Sequence, residues 1–283
     1  MSQQHPTGTA ARVGMRAGLA LLLLRTAAGC AICALVACTT TTTTTTSFAP
    51  PGAESEANNT DAAAINVQLG VDYLQKNELA LAQTKLQRAL REDPRSADVH
   101  DALALLDEQL GDARGADREY RRALELSAHG PRELNNYAVF LCSHGRAAEG
   151  VRYFEEAASN RLYPTPWAAY TNAGICLRGV RQNAAAMQRF LRALQVNPTF
   201  ADAAYEAASL EYAEQDYAAA RSRVDSFLMN NRPTAALLLL GWQVARAQSD
   251  VLAEQRYALL LARDFPNSPQ AHALELSRRG GAD

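Results

Sequence analysis

Five cysteines and five histidines are the side chains of this 283-residue chain best suited to covalent or metal chemistry. A thiolate can take an acyl group or join a second sulfur, and an imidazole can move protons or hold a metal. His5, His100, His129, His144 and His272 are too scattered to form a ligand set. The CxxC at Cys30-Ala31-Ile32-Cys33 sits in an apolar stretch near the amino terminus. Neither a glycine-rich phosphate loop nor a nucleophile elbow occurs. The chain is therefore expected to be no enzyme, with no catalytic residue, cofactor, metal or small-molecule substrate. Two features keep a chemical interest: Cys38, directly behind Leu35-Val36-Ala37, and the pair Cys142 and Cys176.

In front of Cys38, Arg12, Arg16 and Arg25 accompany an apolar run that ends on small residues, the layout of a secretory signal. Arg25 interrupts the run, so either the apolar core is Thr26 to Val36 or translation begins at Met15. Leu35 to Cys38 resemble a bacterial lipobox; a rival cut before Cys30 lacks the large apolar residue that the motif needs. The resemblance implies removal of residues 1–37 and acylation of Cys38, which would fix the chain to a membrane. One acyl chain holds a protein marginally, at ~0.8 kcal/mol per buried CH₂, whereas three make release negligible. Thr39, rather than Asp, follows the cysteine, and by the sorting rule of such lipoproteins this implies the periplasmic face of the outer membrane. Cleavage would leave 25 basic against 30 acidic residues, taking the charge from −2 to −5. An acidic product argues against nucleic acid as a partner, because phosphate binding needs a basic face.

The elements that carry these residues follow from composition and period. Residues 38–62, with an unbroken threonine tract from Thr39 to Thr46 and then Pro50 and Pro51, have neither helical period nor alternation. They read as a disordered tether. From residue 63 a repeat of about 34 residues begins, with starts at 63, 97, 131, 167, 201 and 234, and it runs to 266. Counting each start as position 1, positions 8 and 20 hold only small residues: Gly70/Ala82, Ala104/Ala116, Ala138/Gly150, Gly174/Ala186, Ala208/Ala220 and Gly241/Ala253. This agrees with the tetratricopeptide pattern, in which two antiparallel helices cross closely at those places. The fold expected is all-α: a solenoid of six helix pairs. Residues 267–283 add a capping helix and tail, with Ser268 as N-cap and Pro269 at N1. Position 27 is Ala in four units and Phe227 or Leu260 in the last two, so packing there should be looser or shifted.

In such a stack the first helices line the concave side through positions 2, 5, 6, 9, 12 and 13. In the first unit these supply Val67, Gln68, Val71 and Leu74, an apolar strip of the kind that marks a partner site. The second unit adds Leu105 and an acidic rim at Asp98, Asp101 and Glu108. The natural ligand would be a polypeptide segment with aliphatic anchors and basic flanks. Asn136 and Asn172, both at position 6, can donate to and accept from a bound main chain, or serve solubility alone. Trp242 is an aromatic of the hot-spot type, with helix packing as the alternative. Cys142 and Cys176 fall on first helices of adjacent units at positions 12 and 10. Position 10 is normally buried, which favours two free thiols over a disulfide, although an oxidising periplasm permits the bond.

A lipobox, a short tether and six such units resemble the type IV pilus biogenesis/stability proteins (PilF/PilW). The resemblance covers nearly the whole mature chain. It is most specific at Leu134-Asn135-Asn136-Tyr137, at Leu162-Tyr163-Pro164 in the one 36-residue spacing, and at Leu238-Leu239-Leu240-Gly241. It implies an outer-membrane pilotin whose partner is the secretin, the pilus exit channel, and which aids that channel's localisation and multimer assembly. The rival function is a periplasmic scaffold lipoprotein that recruits cell-wall enzymes through the same groove.

Overall fold

The computed structural model describes residues 53–279, with side chains from 60 to 278. Cys38 and residues 38–52 of the expected tether lie outside the described residues. Among the described residues there are thirteen α-helices and no strand. The pairs are α1 (Ala53–Gln75) with α2 (Leu79–Glu92), α3 (Ala97–Leu110) with α4 (Ala113–Leu126), and α5 (Pro131–Ser143) with α6 (Ala147–Ser159). They continue as α7 (Pro166–Gly179) with α8 (Asn183–Val196), α9 (Ala201–Ala213) with α10 (Tyr217–Asn230), and α11 (Ala235–Ala247) with α12 (Val251–Asp264). A last helix, α13 (Pro269–Arg279), closes the series. The fold is a tetratricopeptide solenoid. Helix α1 starts at Ala53, so the backbone of residues 53–62 is helical where a tether was expected.

Sequence signals account for the helix ends. Ser96, Asp112, Asp216, Thr234 and Asp250 each accept a backbone N–H three residues on, capping α3, α4, α10, α11 and α12. Ser268 does the same for α13, accepting from Ala271 N at 3.1 Å. Within every pair the turn is made by one residue in the left-handed region: Asn77, Gly111, Gly145, Arg181, Gln215 or Ser249. Only two of these six are glycine, so elsewhere the turn is imposed by the helices on either side rather than by the local residue.

The small residues of position 8 have a specific partner. A Cβ added to Gly70, Gly174 or Gly241 would collide with Leu86, Phe190 or Tyr257, the position-24 side chain of the same unit. Those position-24 residues are the centres of the core, with exposures of 0% for all three. Position 27 behaves as expected in the first four units, where Ala89, Ala123, Ala157 and Ala193 are fully buried. In the fifth, Phe227 is buried beside a cleft of about 530 Å³ lined also by Leu194, Pro198 and Ala204.

Stacking is uneven. Each odd-numbered helix packs closely on the next odd-numbered one, from α1–α3 through α11–α13, whereas the even-numbered helices stand farther apart and meet through long side chains, Arg189 of α8 with Glu155 of α6 and Tyr257 of α12 with Asp225 of α10. The first helices therefore converge and the second helices splay, which bends the stack with the first helices inside. At its front, Ile65 and Leu69 of α1 are 63% and 36% exposed, while their counterparts one unit on, Val99 and Leu103, are covered by α2 and α1. At its back, Ala271 and Leu274 of α13 are buried.

Cys142 and Cys176 form a disulfide between α5 and α7, with Cα atoms 5.6 Å apart. This corrects the expectation of free thiols. Two extra residues in the junction before α7 shift the register, so one 34-residue step leads from position 12 to position 10 and brings the sulfurs together.

Candidate functional site

The inner face of the first helices is where the anticipated binding residues meet. Asn136 on α5 donates to Asp101 Oδ2 on α3 at 2.6 Å. Asn135 Nδ2 reaches Asn136 Oδ1 at 3.4 Å, and Asn172 on α7 donates to Asn135 Oδ1 at 3.1 Å. Asp101, Asn136, Asn135 and Asn172 thus make one polar ladder across three consecutive first helices. Beside it, Arg132 on α5 pairs with both Asp98 on α3 and Glu133. Further on, Arg178 of α7 stands 2.5 Å from Glu206 Oε2 of α9, an ion pair by distance without hydrogen-bond alignment. The two asparagines expected to serve a ligand are committed first to the wall itself. Sequence reasoning missed Asn135 and Arg132; the signal was a polar residue at position 5 or 2, one repeat from an acid.

Asp101 is the most perturbed member. Its carboxyl is buried at 8% exposure and its second oxygen, Oδ1, has no hydrogen-bond partner. Burial pushes the pKa up to about 7, against the pull of the Asn136 bond and the Arg132 charge. An acid that holds its proton more tightly folded than unfolded loses stability as it ionises. The penalty opens above its ordinary value of 3.8 and is complete above about 7. Asp101→Asn should therefore match the parent near pH 4 and gain on it as pH rises to 7, by at most about 1.4 kcal/mol per pH unit, then level off. Urea unfolding at acid, neutral and mildly alkaline pH measures this; a pH-independent difference would contradict it.

The apolar strip is narrower than expected. Val67 and Val71 are half-buried and Gln68 is exposed, its amide donating to Asp72 at 2.9 Å. Leu74 is a correction: at 5% exposure it packs with Ala82, Leu86, Ala102 and Leu106 in the core. Leu105 is half-buried between that cluster and the next. Trp242 is a second correction. It is 3% exposed within the cluster that holds Ala271 and Leu274 of α13, so the closing helix and its neighbours cover it. Its indole N–H has no partner, and Arg246 lies 5.3 Å from the ring centroid. What the inner face offers is Val67, Val71 and Leu105 beside a ladder of amides and carboxylates, a surface suited to another polypeptide. Among the described residues no helix is long and apolar enough to cross a membrane.

No family model matches the sequence. The chain is 34% identical over 215 residues to the type IV pilus assembly protein PilF of Pseudomonas aeruginosa, covering 76% of this chain and 85% of that protein. The solved structure of P. aeruginosa PilF superposes with a TM-score of 0.59 at 33% identity, over 78% of this chain and 99% of that one. The crystal structure of PilW, a type IV pilus biogenesis factor, gives 0.59 at 28% identity over 75% and 97%. With that identity over most of both chains, and with the same stacked helix pairs, this chain belongs to the PilF/PilW family of type IV pilus assembly proteins.

Proposed function

We propose that the chain is a non-enzymatic pilotin, a lipoprotein that holds a segment of the pilus secretin in its inner groove and helps the secretin to reach the outer membrane and assemble. Family membership supports the pilus role. The observation that carries the groove is the ladder from Asp101 through Asn136 and Asn135 to Asn172, flanked by half-buried Val67, Val71 and Leu105. Amides pre-set by one another lose little freedom when a main chain docks, and aliphatic neighbours supply non-directional attraction. Acylated Cys38 would anchor the chain on the periplasmic face.

Leu74 is a core residue, so charging it would test folding rather than binding. Val67→Asp with Val71→Asp is the better pair. It should abolish heat-resistant secretin multimers while the helical circular dichroism and melting remain those of a folded protein. Normal multimers in that variant would overturn the groove. Cys38→Ser should move the protein from the membrane fraction to the soluble periplasm, and continued membrane fractionation would refute the anchor.

A further inference from the structure

We propose that Cys142 is the exchange site through which the Cys142–Cys176 bridge is made, its reaction partner being a disulfide-bearing oxidant of thiols. The two cysteines differ in exposure. Cys176 lies three residues from the end of α7 at 7% exposure, within the cluster of Tyr137, Phe154 and Ala173, its sulfur 3.8 Å from Ala147 O. Cys142 is half-buried one residue from the end of α5, followed by exposed Ser143, His144 and Gly145. Space around its sulfur is made by Gly150 of α6, where a Cβ would collide with Cys142 Sγ and lie 2.8 Å from Ala138 O. The other five units carry Ala at this position 20. This glycine stands where the bridge between α5 and α7 needs room.

Exchange requires a thiolate to meet a sulfur in line, so the accessible cysteine reacts first and the buried one completes the bond. The Cys142 thiolate attacks one sulfur of the oxidant, forms a mixed disulfide and expels a thiolate. The Cys176 thiolate then attacks the Cys142 sulfur, forms the intramolecular bridge and expels the second thiolate. Two protein thiols lose two electrons, the oxidant becomes two thiols, and the two cysteine protons pass to the leaving groups. Bridge and polar ladder join the same helices, α5 and α7, so closing the bridge also fixes the spacing across which Asn172 bonds Asn135.

The test uses the full chain, reduced under native conditions and challenged with oxidised glutathione, with alkylation at timed intervals and mass-spectrometric mapping. Glutathione should appear on Cys142 at least about tenfold more than on Cys176 and vanish as the bridge closes. Cys176→Ser should accumulate the Cys142 adduct. Cys142→Ser, folded by circular dichroism, should stay unmodified until denaturant is added. Equal or greater labelling of Cys176 in the reduced parent chain would overturn the assignment, whether from an open α7 or from lost folding.

Discussion

Replacing Cys142 and Cys176 together with Ser lowers the unfolding free energy by about 4 kcal/mol, the chain-entropy value for a 34-residue loop. That is a large part of what an ordinary domain has to spare. The loss should be seen as an earlier and broader transition, because the staple couples the third and fourth units and nearest-neighbour contacts alone then hold the array together. A reductant should reproduce the effect on the parent chain and leave the double variant unchanged. A parent midpoint indifferent to reductant would sink this account.

Gly174→Ala destabilises although helix propensity alone favours alanine by about 1 kcal/mol. The added methyl collides with the ring of Phe190, which is fully buried and has nowhere to go. Overpacking of this kind costs about 1–3 kcal/mol, enough to reverse the propensity gain. Gly179→Ala on the same helix is the control: nothing lies within 4 Å of its Cβ, so it should be neutral or stabilising by up to about 1 kcal/mol. Adding Phe190→Leu to Gly174→Ala should recover part of the loss. If the two glycine variants melt alike, the position-8 explanation fails.

The repeat was legible because its physics is local to one unit: small residues opposite one large one, a cap, a stop. Starts read at 97, 131 and 201 coincide with the helix starts of α3, α5 and α9. Properties that depend on the next unit were harder to read. Asn136 and Asn172 were recognised as groove amides, but their bonds to Asp101 and Asn135 depend on how far successive first helices converge. The disulfide was missed for the same reason, since only the two-residue shift before α7 turns positions 12 and 10 into neighbours. Leu74 and Trp242 occupy positions that usually face the groove, yet long or bulky side chains there fold back over the core. Position assigns a direction to the Cα–Cβ bond; reach decides where the side chain ends.

The two ends of the array are not equivalent. Helix α13 finishes one, whereas Ile65 and Leu69 leave the other with the surface that the second unit shows to the first. The array therefore has a direction of growth: a designer wishing to lengthen it could stack a further module on the face of α1 that carries Ile65 and Leu69, but would have to displace α13 to extend the other end.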